Sequence, residues 1–300
     1  MVAISNIAVA LFATSMLAPS QPPSGALPTI DAATSLLVVS PHPDDETLCC
    51  AGVIERVAAA GGRVTVVWVT SGDGSVLSML MVEKSLFAAP DKVRDLASRR
   101  MHEAREATAL LGVPRSQQLF LGYPDGGILQ LLTDNRTTPY RAKFTGDTRV
   151  PYANVAFPGH PYTGTSLEHD FASILDRVRP TLVLAPSLDD AHPDHSATGK
   201  LVTRLLLRRG EASKLHYWIV HGGEGWPSPR GYMPGIPLET PATAADLRLQ
   251  PFTLTDGEEA RELQAVNAYH TQMEVMAPFL LAFVRTSELF SAPPTTLKAP

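Results

Sequence analysis

Two kinds of apolar pattern alternate along this chain. One is a short run with no polar interruption; the other is a longer stretch in which apolar residues recur every three or four positions. Ser35-Leu36-Leu37-Val38-Val39-Ser40 and Val64-Thr65-Val66-Val67-Trp68-Val69 are of the first kind. They lack the polar alternation of a half-exposed strand, so they predict strands buried on both faces. Residues 47–60, between them, have helical spacing and stop at Gly61-Gly62, a helix-end signal. Strand, helix and strand in so short a span predict a βαβ unit and hence a parallel sheet.

The pattern continues in the same sense. Residues 91–111 predict a long charged helix stopped by Gly112 and Pro114, and residues 119–121 a brief strand. Residues 166–178 predict a helix closed by Pro180, residues 182–185 a buried strand, residues 196–209 a helix ending at Gly210, and residues 215–220 a further strand. Residues 256–288 read as mostly helical, with a break at Pro278. Two segments fit no regular element: 133–164, rich in Thr, Pro, Tyr and Arg, and 222–251, rich in Pro and Gly. Loops of that length in a compact domain are usually functional or disordered. The expectation is one α/β domain over 35–290, preceded by residues 1–34 and followed by a tail at 291–300.

Composition narrows the partners. A net charge of −5 with no basic block speaks against nucleic acid. Residues 4–18 form an apolar run too short for a stable membrane span. Its length suits a secretory leader, followed by a Pro/Ser linker, so export to the periplasm or beyond is the expectation, with a cytoplasmic location as the alternative. No Lys or Arg precedes Arg56, so the usual positive start of a leader is missing. The two cysteines, Cys49 and Cys50, are adjacent. Adjacent cysteines rarely bridge, and the expectation is a pair of buried thiols. Oligomeric state is not legible.

Two motifs carry chemistry. Pro41-His42-Pro43-Asp44-Asp45-Glu46 follows the first strand, and His192-Pro193-Asp194-His195 follows the strand at 182–185. Ligands of parallel α/β sheets bind outside the carboxyl ends of the strands, so both motifs fall on one edge. His42, Asp45 and His195 could supply two imidazoles and a carboxylate, the three-ligand pattern of catalytic zinc with a position left for water. Zinc lowers the pKa of such a water from 15.7 to about 7. Asp44 is placed to take its proton, His192 to stabilise an oxyanion or protonate a leaving group, and Asp194 to fix the tautomer of an imidazole. Other readings remain open: Asp44, Asp45 and Glu46 could simply begin a helix, where acids suit the dipole. A doubled Asp after a first strand could also be a magnesium phosphoacceptor pocket. His192 and His195 speak against that, since magnesium prefers oxygen ligands.

These motifs resemble the N-acetylglucosaminyl-phosphatidylinositol deacetylases, also called PIG-L or LmbE-like deacetylases. Weaker marks are Val69-Thr70-Ser71-Gly72-Asp73, Arg100-x-x-Glu103 before Leu111-Gly112-Val113, Tyr123-Pro124-Asp125-Gly126-Gly127 and Ala268-Tyr269-His270-Thr271-Gln272. The resemblance spans roughly 35–290. It implies a Rossmann-like fold: a mainly parallel sheet, helices on both faces, and long loops around the metal site. It also implies zinc-dependent removal of an acetyl group from an N-acetylated sugar of the N-acetylglucosamine type. Carried over by position, His42, Asp45 and His195 are the zinc ligands and Asp44 the general base. His192 is the electrophilic or acid group, oriented by Asp194, and Arg100 and Asp125 contact the sugar. The chain departs from the family pattern at Asp73, where Glu is frequent, and at Thr271-Gln272, where Ser-Gln is common. Two rival functions stand beside this one: hydrolysis of another amide or an ester, and a zinc-containing carbohydrate-binding protein without catalysis.

Overall fold

The structure is a computed structural model that describes residues 27–74 and 89–291. Its centre is a sheet of five parallel strands: β1 Ser35–Ser40, β2 Arg63–Thr70, β3 Gln118–Tyr123, β4 Leu182–Pro186 and β5 Leu215–Trp218. The spatial order is β3-β2-β1-β4-β5. Leu36, Leu37, Val38 and Val39 are fully buried, as a strand with helices over both faces requires. β1 is flanked by β2 on one side and β4 on the other. The chain runs outward from β1 through β2 to β3, then crosses back to β4 and on to β5. The order therefore reverses between β1 and β4, and it is there that open α/β sheets leave a crevice.

Right-handed crossovers put the helices of the two halves on opposite faces. Helices α1 (Asp45–Ala59) and α2 (Pro90–Leu110) connect the first half. The short α3 (Ile128–Leu132), α4 (Gly164–Val178) and α5 (Pro193–Arg208) belong to the second. The C-terminal region adds α6 (Asp256–Asn267) and α7 (His270–Leu280) to the first layer, where α6 packs on α1 and α2. α6 begins with a reciprocal capping box between Thr255 and Glu258, which ends the preceding strand cleanly.

Three expectations meet the structure here, and two of them are corrected. The C-terminal segment is not one interrupted helix. It divides at residues 268–269, α7 runs through Pro278 with a kink at Met276, and the chain then becomes a strand, β7 (Ser287–Phe290), paired antiparallel with β6 (Gln250–Thr253). The alternation in Ser287-Glu288-Leu289-Phe290 is too short to outweigh a helical neighbour in sequence. Second, the segment 133–164 is irregular as expected up to the start of α4 and is tied by hydrogen bonds: Tyr140 N–H donates to Tyr162 O, Val150 N–H to His160 O, and the Tyr162 hydroxyl to Gly122 O at the end of β3. Third, Cys49 and Cys50, both buried on α1, are joined in a disulfide rather than left as two thiols. The leader at 4–18 lies outside the described residues. No helix among the described residues is long and apolar enough to cross a membrane.

Candidate metal centre

Both motifs leave adjacent strands at the reversal point, and each is fixed by the helix it begins. Asp44 precedes α1 with φ 126° and ψ −36°, a backbone region that non-glycine residues rarely occupy. Strain of that kind persists only where surrounding contacts impose it, and it gathers at functional sites. Here Arg100 imposes it. Its guanidinium, buried on α2, donates to Pro43 O at 2.9 Å, to Asp44 Oδ2 at 3.3 Å and to Gly72 O at 2.9 Å. Gly72 has φ 70°, and a Cβ there would lie 2.2 Å from Arg100 Nη1, so the approach needs glycine. At the second motif His192 is the N-cap of α5 and Pro193 its first residue. The Asp194 backbone N–H donates to His192 Nδ1 at 3.2 Å. With Nδ1 accepting, the proton of the neutral ring sits on Nε2.

The three expected ligands converge. His42 Nδ1 lies 3.2 Å from Asp45 Oδ2 and 3.2 Å from His195 Nε2, and those last two atoms are 3.1 Å apart. Tetrahedral zinc with bonds near 2.0–2.1 Å separates its ligand atoms by about 3.3 Å, so this triangle has the right size. Overlapping sets are also close enough to share an ion: His42, His192 and His195; Asp45, His195 and His221; and His42, Asp125 and Asp194. Charge points the same way. Against burial, which pulls both down, Asp125, Asp194 and Asp45 hold His42 well above its ordinary value. Asp45 and Asp190 likewise hold His195 at about 9. The carboxylates thus draw positive charge onto these rings, and a divalent cation at the same atoms supplies it directly.

Around the triangle the roles divide. Burial pushes Asp44 up to about 7, against the pull of Arg100. His192 is pushed down to about 4 by burial and by His42. Asp125 approaches His42 Nε2 at 3.4 Å and accepts from Gly74 N–H at 3.0 Å. One placement differs from expectation. The Asp194 carboxylate faces His42 Nε2 at 3.4 Å and accepts from Gly126 and Ile128 N–H, at 2.7 and 3.1 Å. It therefore steadies His42, and only its backbone meets His192.

The residue that steadies His195 is one the sequence reading missed. Asp190 Oδ2 lies 3.2 Å from His195 Nδ1 and accepts from Val220 and His221 N–H, while Oδ1 accepts from His192 N–H. Asp189-Asp190, two residues before His192 at the end of β4, was the available signal. His221 was missed too, although it follows β5 on the same sheet edge. Glu46, Tyr269 and Thr271 turn out to be braces. Fully buried Glu46 accepts from Trp68 Nε1 at 2.7 Å and from Ser40 Oγ at 3.1 Å, and meets the Tyr269 hydroxyl. Thr271 donates to Glu103 through both its N–H and its hydroxyl. His270 is exposed and away from the site.

A cavity of about 250 Å³ opens onto the cluster, walled by Asp44, Arg100, Asp125 and His192, with Gln272 and Phe279 from α7. The segment 133–164 lines none of it.

Comparison with known proteins agrees with this geometry. Residues 37–206 match the family model described as PIG-L, GlcNAc-PI de-N-acetylase. A 1D-myo-inositol 2-acetamido-2-deoxy-alpha-D-glucopyranoside deacetylase from Actinosynnema mirum is 26% identical over 261 residues, covering 82% of this chain and 83% of its own. An enzyme of the same name from Mycobacterium sp. (strain KMS) is 29% identical over 258 residues, covering 81% and 75%. Among solved structures, a deacetylase of the teicoplanin biosynthetic pathway superimposes with TM-score 0.55 at 17% identity, covering 88% of this chain and 100% of its own. N,N'-diacetylchitobiose deacetylase from Pyrococcus horikoshii superimposes with TM-score 0.51 at 21% identity, covering 86% and 83%. At those identities the superpositions speak for the fold. The expectation of export is corrected to one without support: the sequence relatives are named for deacetylation of an inositol glycoside, and the run at 4–18 lies outside the described residues.

Proposed function

The chain belongs to the GlcNAc-PI de-N-acetylase family, and from that premise we propose that it is a zinc-dependent hydrolase removing the acetyl group from an N-acetylated sugar of the N-acetylglucosamine type. The single observation that carries the reading is the triangle of His42, Asp45 and His195 beside a strained, buried Asp44. The catalytic unit is residues 35–290. His42, Asp45 and His195 would hold the zinc, which when bound would supply Lewis acidity to activate water and polarise the acyl oxygen.

The chain's own residues do the rest. Asp44, pushed up to about 7, receives the proton of the attacking water and can pass it to the departing amine. Arg100 holds its carboxylate in place. His192 is neutral, and its Nε2–H donates to the developing oxyanion, while the Asp194 N–H fixes that tautomer. Asp194 and Asp190 orient His42 and His195. Asp125, in the cavity wall opposite, accepts from sugar hydroxyls, and Arg100 closes the floor.

Asp44→Ala tests the assignment. Zinc content should stay at one equivalent while kcat for acetate release falls by about 10²–10⁴-fold. Unchanged turnover would remove Asp44 as the base. A protein that binds N-acetyl sugars and releases no acetate would return the reading to the silent binding protein.

A further inference from the structure

A cavity of about 400 Å³ lies between α2 and residues 151–154, and it has no lining residue in common with the metal cavity. From α2 come Arg94, Met101 and Arg105, whose spacing of seven and four places them on one stripe of the helix. Arg115, which opens the short turn Arg115–Gln117 before β3, adds a third guanidinium. No Asp or Glu lines this space among the described residues.

The three charges are not equally free. Arg94 is committed to Asp147 by bonds of 3.0 and 2.8 Å. Glu106, next to Arg105 in sequence, meets His102 at 3.1 Å on the exposed rim. Arg105 and Arg115 pair with no carboxylate among the described residues. Arg105 is half-buried and held still: its guanidinium lies 4.7 Å over the Phe120 ring, and Nη2 donates to Asn154 O at 2.9 Å. Its Nε is buried without an acceptor. Burial, and then the charge of Arg115, pulls the Arg105 pKa down to about 10. Two cations thus face one cavity, and the chain supplies no anion to balance them.

We propose that this cavity is a binding site for a phosphate monoester, its oxygens held by Arg105 and Arg115, separate from the metal centre. The inference goes beyond the deacetylase reading and does not depend on it.

Charge and geometry select the class of ligand. A dianion balances both guanidiniums, where one carboxylate balances only one. Phosphate oxygens also match the forked N–H donors of arginine. A neutral sugar would leave both charges unbalanced. Because Phe120 and Asn154 already fix Arg105, little side-chain freedom is lost when a ligand binds. Size leaves room for an organic body beyond the phosphate, since the volume falls within the ~300–1,000 Å³ typical of ligand sites. Met101, Pro151 and the ring of Tyr152 offer that body an apolar wall, while the Tyr152 hydroxyl is engaged by Asp73 at 3.4 Å.

The test is binding to the zinc-loaded protein at fixed ionic strength, with two probes. Glycerol 3-phosphate, followed by calorimetry, represents a soluble ester. Phosphatidylcholine vesicles containing phosphatidic acid, followed by co-sedimentation, represent a lipid-borne one. A phosphate can also coordinate zinc, so the deciding comparison is with variants. Arg115→Gln and Arg105→Gln should each weaken binding by about tenfold. Arg115 is exposed, so Arg115→Gln should keep the wild-type melting temperature and zinc content and separates lost binding from lost folding. Arg115-dependent binding of glycerol 3-phosphate supports a soluble ligand, and such binding to the vesicles alone supports a lipid head. Wild-type affinity in Arg115→Gln would put the phosphate on the metal and overturn the site. Failure of both probes to bind overturns it too, as does acetate binding as tightly as the ester through Arg115.

Discussion

Glu262 on α6 and Glu288 on β7 are both buried, and the Glu288 carboxylate raises the proton affinity of Glu262. Burial comes first and repulsion second: burial and then Glu288 hold Glu262 well above its ordinary value, and burial, with Glu258 repelling it, pushes Glu288 up to about 8. A carboxyl raised on folding keeps a proton that the unfolded chain gives up near pH 4.3. Its contribution is therefore complete below that pH and is lost as pH climbs toward the folded value. Glu288 has compensation, since it accepts from Gly52 and Val53 N–H. Glu262→Gln should leave stability at pH 4 nearly unchanged and raise it at pH 8 by about 1–3 kcal/mol. Arg285 stays satisfied by backbone oxygens in the variant. Thermal melts of both proteins at the two pH values decide it, and parallel pH profiles would refute it. At this scale the sequence was readable wherever chemistry was contiguous. His42, Asp44, Asp45, His192 and His195 sit in two six- and four-residue strings. Glu46, in the same string, was not readable as a brace, because its partners Trp68 and Tyr269 are distant in sequence.

The elements that aim those side chains are α1 and α5, each starting where its strand stops. α5 lies so close to the end of β4 that a Cβ on Gly199 would fall 2.4 Å from Pro186 O. A backbone carbonyl cannot swing aside as a side chain can. Gly199→Ala should therefore push α5 outward, costing about 1–3 kcal/mol. His195 stands one turn earlier on the same helix, so the shift opens the ligand triangle. The expected result is a lower melting temperature together with weaker zinc retention in a chelator competition. Wild-type zinc affinity in a destabilised variant would show that α5 tilts without moving His195. Element type was legible for the five sheet strands because each is a short apolar run with no polar alternation. β6 and β7 were not, because Gln250–Thr253 and Ser287–Phe290 are four residues each and mix polar with apolar positions. What makes them strands is their pairing with each other, across 33 or more residues of intervening chain.

For the molecule as a whole, the match to the family model ends at residue 206, yet the site does not. Past that point come His221, Gln272 and Phe279 of the cavity wall, and Tyr269, which meets Glu46 of the metal loop. The C-terminal layer thus completes a centre whose proposed ligands, His42, Asp45 and His195, all lie in the first two-thirds of the chain. Tyr269 is the tightest tie between them. Its hydroxyl, fully buried, meets the Glu46 carboxylate and lies 3.0 Å from Thr47 Oγ1, at the start of the helix that carries Asp45. Glu46 in turn accepts from the Asp44 N–H at 3.2 Å. Tyr269→Phe removes one oxygen and leaves a buried carboxylate short of a donor, a loss of about 1–3 kcal/mol. If the layer merely covers the core, that loss appears in the melting temperature alone. If it holds the metal loop in its strained form, kcat falls with it while KM stays near the wild-type value, because Asp44 drifts and the sugar contacts do not. Measuring both on the zinc-loaded variant separates the two roles, and the chain of bonds from Tyr269 through Glu46 to Asp44 predicts the second.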